Sequence, residues 1–395
     1  MKAVKTIAAL IFLTTLGIVL VQPIIDADGD RGPQAEARDD ASPPADGGEA
    51  GEAPDRVELL ARYPKRCTRD QRAATGLVAA RRGSTATFGF PDRQPIARID
   101  VAGDVAWSPS GTFLAERGGR VFDQRGNPQG ALFFEPRAWQ WSPVADCALA
   151  VTDGGNLTFS IPGTRRKGIL LLESVEEFAV SPNGRRLAAV VDGRGLWIAN
   201  LRRGRVARAT EGAASIVGWF ANTSVLYSKS PGSGKLRYAT SRTTRVVRGA
   251  LAGGTLVRCR NRVLLVAPDV DTNMALAELT SPRGRIRVAP LAGSPSFEAG
   301  YTGATCSPDG NLIAASTLRR RGARGPLVLL ERDGTFVRQL DGGRTANPQW
   351  SSDGLVYVKF GIAGRGRLWL LVPGAAPRPT GYRVGAPTQY DWHVR

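Results

Sequence analysis

One turn signature returns along this 395-residue chain with a period near forty residues, and that period restricts the fold more than any single motif. It reads Trp107-Ser-Pro-Ser-Gly, Trp141-Ser-Pro-Val-Ala-Asp, Val180-Ser-Pro-Asn-Gly, Cys306-Ser-Pro-Asp-Gly and Trp350-Ser-Ser-Asp-Gly. Degraded copies start at Trp219 and Cys259, and successive anchors lie 34, 39, 39, 40, 47 and 44 residues apart. Proline presets φ, Ser, Asp or Asn bonds back to the backbone, and Gly takes the left-handed position, so the signature is a hairpin turn between two strands. After Val180 come three more β-rich runs, Leu187–Val191, Gly195–Leu201 and Val206–Thr210, which leave no room for a helix. A lone four-stranded sheet has two apolar faces to cover. Copies stacked around an axis cover both and leave few free edges. The expected fold is an all-β propeller of four-stranded blades.

Blade number follows from the two ends of the repeat. Leu77–Arg81, Thr85–Phe90 and Pro95–Ile99 form a unit whose first strand, near Cys67, is poor. Pro387–Trp392 is an isolated first strand with nothing after it, expected to complete that N-terminal blade and close the ring. Eight blades are favoured; absorption of the short 107–141 unit would make seven.

The Trp-Ser-Pro-Asp-Gly turns, with the third strands Gly195-Leu-Trp-Ile-Ala-Asn and Arg367-Leu-Trp-Leu-Leu, resemble the TolB-like and WD-repeat-like propellers of bacterial envelope proteins over roughly residues 67–395. The resemblance implies the fold and no particular activity, since such propellers serve as interaction platforms, sensors or lids on a catalytic domain.

Ahead of the repeats, Lys2 and Lys5 precede an apolar run from Thr6 to Ile25. Twenty such residues in a helix span roughly 30 Å, one hydrocarbon core. Residues 1–25 are expected to be an uncleaved signal anchor, with the basic end inside and the rest of the chain outside the cytoplasm. The alternative is secretion after signal cleavage, for which the nearest small-residue pair, Ala35 and Ala37, lies far past the run. Residues 26–56 are rich in Asp, Glu, Ala, Gly and Pro and are expected to be a disordered linker, and the propeller domain to be residues 57–395. Asp26, Asp28 and Asp30 are no calcium loop, because Arg31 and Ala37 stand where Gly and Glu are needed.

The linker holds ten acidic and three basic residues, a net of −7; removing that and the anchor's +2 from the total of +18 leaves +23 on the propeller. Clusters at Arg165, Arg166 and Lys167, at Arg202, Arg203 and Arg205, and at Arg319, Arg320, Arg321 and Arg324 are the candidate contact loops. The first two clusters fall between third and fourth strands and the last between second and third. Basicity is therefore expected on both faces of the ring, with no single groove. Codon composition is an equally good account of the high Arg content. The expected partner is a protein or an anionic envelope polymer or lipid headgroup, with no nucleic acid outside the cytoplasm.

Chemistry is hard to place in this chain. Its one histidine, His393, suits a structural role in the closing strand, and there is no Gly-x-Ser-x-Gly elbow. Gly232-Ser-Gly-Lys235 lacks the flanking residues of a phosphate loop. Asp104, Glu177 and Asp391 are the acids near first strands that a carboxylate-based lyase or glycoside-active propeller would use. No catalytic, metal or cofactor residue is assigned. The expectation is a non-catalytic binding platform, the alternatives being such an enzyme or the accessory ectodomain of a signalling complex. Cys67, Cys147, Cys259 and Cys306 suit two disulfides in an exported domain. Of three pairings, Cys259–Cys306 would bridge successive blades and Cys67–Cys147 would pin the start of the ring. Cys67, Cys259 and Cys306 are read as filling the Trp slot of the repeat. Trp107, Trp141, Trp197, Trp219, Trp350, Trp369 and Trp392 are read as inter-blade packing, and Trp139, placed on the opposite face from Trp141, as core.

Overall fold

The computed structural model describes residues 57–393, apart from 74, 134–135, 213–214, 230–234, 248–254, 261, 267–275, 282–284, 292–299, 320–322, 362–363 and 387–388. The expected anchor and linker lie outside the described residues. Among those described, no helix is long and apolar enough to cross a membrane.

Eight four-stranded antiparallel sheets make up the ring. Seven are consecutive along the chain, with first strands at Val105–Trp107, Ala138–Trp141, Val175–Val180, Ser215–Ala221, Thr255–Cys259, Tyr301–Cys306 and Arg344–Ser351. These are blades 2 to 8. Blade 1 takes Val78–Arg82, Thr85–Gly89 and Ala97–Asp100 from the start of the repeats and Tyr390–Trp392 from the end. Val78 pairs with Trp392 and Ala80 with Tyr390, so the circle closes as expected, with eight blades. First strands touch from blade 1 to blade 2 and in succession from blade 4 to blade 8, which places them innermost around the axis.

The residue types follow from position. Second strands are flanked by strands and covered by blades on both faces, so they read as continuous apolar runs. Arg186–Val191 of blade 4 is buried from Leu187 onward, whereas the outer strand Arg205–Thr210 is half-exposed. Blades converge toward the axis, and small side chains fill the narrow space: Ala115, Ala148, Ala188 and Ala314 on second strands are fully buried.

The Trp slot joins each blade to its neighbour. Trp141 Nε1 donates to the Ala106 carbonyl at 3.1 Å and Trp219 Nε1 to the Ala179 carbonyl at 3.0 Å, in each case one blade back. The residue before the slot reaches across the same seam. Gln349 Oε1 accepts from Trp392 N–H at 2.9 Å, Asp391 Oδ2 accepts from Trp107 N–H at 2.7 Å, and Arg258 donates to the Trp219 carbonyl. Trp139 shares a face with Trp141, contrary to expectation: residues two apart on a strand return to the same side, and the rings meet edge-on at 5.9 Å.

Both disulfides form. Cys259–Cys306 joins the inner strands of blades 6 and 7, with Cα atoms 5.3 Å apart. Cys67–Cys147 has a Cα separation of 5.6 Å, but Cys67 is not in a first strand. It sits in a 3-10 turn, Lys65–Thr68, because the slot it was assigned in blade 1 is already filled by Trp392.

Candidate functional site

Residues 57–76 form a strap across one face of the ring. In an antiparallel blade the first-to-second and third-to-fourth turns emerge at the same end, and the strap lies over that end of blades 3, 2 and 1. Leu60 N–H donates to the Leu171 carbonyl on the outer strand of blade 3 at 2.9 Å. Tyr63 is buried with its ring edge-on to Phe159 at 5.4 Å, and burial pushes its hydroxyl pKa up. Cys67 is bonded to Cys147, and its carbonyl accepts from Ser142 Oγ at 3.3 Å. Gln71 N–H then reaches the Val144 carbonyl at 2.6 Å and Ala73 N–H the Pro109 carbonyl at 3.1 Å, in the turns of blades 3 and 2. Gly76 N–H meets the His393 carbonyl at 3.1 Å. His393 itself bridges strap and ring: Nε2 lies 2.9 Å from the Pro109 carbonyl, which can only accept, and Nδ1 lies 2.7 Å from Thr75 Oγ1. This is a structural histidine.

Between the strap and the third-to-fourth loop of blade 3 lies a cleft of about 680 Å³, lined by Arg62, Tyr63, Pro64, Lys65, Arg66, Thr164, Arg165 and Arg166. All five cations are exposed, and no carboxylate is among the lining residues. The loop is held by its own hydrogen bonds. Thr164 Oγ1 donates to the Ile161 carbonyl at 2.9 Å, Ile161 N–H to the Arg166 carbonyl at 2.8 Å, and Gly168 N–H to Ser160 Oγ at 2.7 Å. Lys167 follows and leans toward the outer strand of blade 2 at Gly130. Five exposed cations on two anchored segments concentrate positive charge at this cleft, with a reach limited to about 8–10 Å at physiological salt.

The matching loop of blade 4 carries exposed Arg202, Arg203 and Arg205 at the same end, with Arg203 N–H on Asn200 Oδ1 at 3.0 Å. Exposed Arg185 lies in the first-to-second turn of that blade, whose Gly184 packs beside Val144 and the Cys67 carbonyl. The opposite ends of blades 3 and 4 carry exposed Asp153, Glu173, Glu176, Asp192 and Glu211. The strap-side end of this sector is richer in exposed cations, with exposed Glu58 and Asp70 also on the strap and exposed Arg137 at the opposite end. The strap makes the difference, bringing Arg62, Lys65 and Arg66 to the loop cations. In the sequence they were visible only as Arg62-Tyr-Pro-Lys-Arg-Cys67, a run that no repeat contained.

The third candidate loop behaves differently. Arg324 stacks on Phe360 of blade 8 with its guanidinium carbon 4.2 Å from the ring centroid, and desolvation lowers its pKa. Arg324 is a seam residue, while Arg319 is exposed and Arg320 and Arg321 lie outside the described residues. The candidate acids are also seam residues. Asp104 pairs with Arg81 at 2.9 Å, and Asp391 is held by Trp107 N–H. Glu177 on blade 4 accepts from Ile216 N–H of blade 5 at 2.6 Å, and burial raises its pKa to about 7. Glu177 and Asp391 stand three blades apart, so they form no acid pair. A second cleft of about 590 Å³, between blades 6 and 7, is mixed in charge; its Arg262 is already bound to Glu278 Oε2 at 2.6 Å and to the Arg332 carbonyl at 2.9 Å.

No protein-family model matches this chain, and no curated protein matches it by sequence. Solved structures do match in shape. A crystal structure described as the eukaryotic initiation factor superposes with a TM-score of 0.56 at 14% identity, over 83% of this chain and 89% of that one. The β-propeller domain of Cps50 (Swd1) from Myceliophteria thermophila gives 0.45 at 16% identity, over 69% and 98%. BamB from Moraxella catarrhalis gives 0.46 at 13%, over 77% and 94%. At such identity the first likeness concerns the fold alone, and the other two are too distant to carry an argument.

Proposed function

We propose that this chain is a non-catalytic, TolB-like binding platform, held outside the cytoplasm by its N-terminal segment, whose strap-side face engages an anionic partner. That partner is an acidic protein surface or an anionic envelope component such as a phosphate-bearing polymer or lipid headgroup. The observation that carries the reading is the cleft lined by Arg62, Lys65, Arg66, Arg165 and Arg166 with no carboxylate among its lining residues. Arg suits this chemistry because its planar fork matches phosphate and carboxylate oxygens two at a time.

The test uses the full chain and short-chain inorganic polyphosphate as probe. Binding should weaken steeply between 50 and 500 mM salt, because exposed charges are screened over that range. Arg165→Ala with Arg166→Ala should weaken it at least about tenfold, each charge-assisted contact being worth roughly 1–2 kcal/mol. Binding that ignores both salt and the double substitution would remove the cleft from consideration.

A further inference from the structure

The basic cleft opens beside the point where the acidic segment of the same chain joins the ring. Val57 is buried against blade 3, and Leu60 is bonded to the outer strand of that blade. Arg62, only seven residues beyond Asp55, already lines the cleft. Residues 26–56 carry ten carboxylates against three arginines. A chain of 26 residues, the separation of Glu36 from Arg62, has an end-to-end distance of about 30 Å. Most of these carboxylates are therefore within reach, at an effective concentration on the order of millimolar. The field also has a direction. At the rim where the segment arrives, one end of blades 3 and 4 presents the arginine loops, and the other presents Asp153, Glu173 and Asp192, which repel it, alongside exposed Arg137 and the ion-paired Glu211.

We propose that the acidic segment 26–55 is the resident occupant of the cleft, so that an external anion binds by displacing it. This inference rests on the cleft being the anion site. The segment then sets a threshold: weak or singly charged anions fail to compete, whereas polyanions that engage several arginines at once succeed. The cleft is also masked from non-specific contacts until such a partner arrives.

Zero-length carbodiimide coupling on the full chain reads the contact directly, since it joins a carboxylate to a lysine amine only on contact. Lys167 is the reporter because it lies over a hundred residues from the segment in sequence; Lys229, Lys235 and Lys359, on blades 5 and 8, are the controls. Crosslinks from residues 26–55 should favour Lys167 over the controls about fivefold or more, and they should fade in 0.5 M salt and in the presence of polyphosphate. Replacing the ten carboxylates by Asn and Gln should tighten polyphosphate binding about threefold to tenfold, by removing a millimolar-range local competitor. Crosslinks spread evenly over all lysines, or unchanged polyphosphate affinity in the neutralised variant, overturn the proposal. If Arg165→Ala with Arg166→Ala weakens polyphosphate binding while neutralisation changes nothing, the cleft remains the anion site and only the masking falls. If that arginine pair has no effect in either background, the cleft itself is wrong.

Discussion

Replacing Cys67 and Cys147 together by alanine separates two consequences of one covalent bond. Measured from the unfolded chain, the bond closes a loop of 80 residues, and the lost closure entropy corresponds to about 4.5 kcal/mol of global stability. Measured from the folded ring, only the stretch from Cys67 to the first strand at Val78 is free to move, about ten residues. Closure of so short a loop is worth about 3 kcal/mol, roughly a hundredfold in the ratio of docked to released strap. The Gln71 and Ala73 amides, bonded to the Val144 and Pro109 carbonyls, report on that ratio. Their hydrogen exchange should accelerate about a hundredfold in the double variant, while amides in the second strand of blade 4 stay protected. The melting temperature should fall by roughly 5–10 °C. Polyphosphate binding should drop with the strap, because Arg62, Lys65 and Arg66 leave the cleft together. If the melting temperature falls but Gln71 and Ala73 exchange within about threefold of the parent rate, the strap is held by its own contacts. The reasoning that makes the disulfide the builder of the site is then refuted.

Other consequences are smaller in scope. Burial holds the Glu177 carboxyl up near 7, above its ordinary 4.5, so the folded state keeps a proton that the unfolded state releases. Its contribution is fully present below about pH 4.5 and is lost as pH rises through about 7, costing up to about 3 kcal/mol. Glu177→Gln should therefore flatten the pH dependence of urea denaturation between pH 5 and pH 8; identical slopes in parent and variant would contradict this. Gly184 has φ of +67°, and an added Cβ would lie 2.5 Å from Val144 Cγ2. Gly184→Ala should cost about 2–4 kcal/mol by chemical denaturation and loosen the strap at Cys67. Trp392→Ala removes a buried ring from the closing strand along with the Nε1 bond to the Gly76 carbonyl at 3.0 Å. It should cost about 3–5 kcal/mol, and an unfolding midpoint within error of the parent would deny that strand its role in closure.

The blades were legible because each is a local object. The turn at Val180-Ser-Pro-Asn-Gly and the runs that follow it encode four strands within one stretch of chain, and the observed strands Arg186–Val191, Gly195–Asn200 and Arg205–Thr210 differ from the expected ones only at their ends. Closure was legible for the same reason: Pro387–Trp392 reads in the sequence as a first strand without a second, and Tyr390–Trp392 supplies the one that blade 1 lacked. The pairing Cys259–Cys306 was foreshadowed because both cysteines occupy the same slot in successive units. The strap was not legible. Residues 57–76 belong to no repeat, and with no period to place them, Cys67 was assigned to a strand position that Trp392 fills. Strand order already tells which turns share an end, but only the tertiary contacts of the strap, the Cys67–Cys147 bond and the Leu60 and Tyr63 contacts, decide that Arg62, Lys65 and Arg66 lie over blade 3. Hydrogen-bonded hairpins are specified between neighbours in sequence, whereas the cleft depends on contacts between segments about a hundred residues apart, and no local pattern of residues records such a meeting.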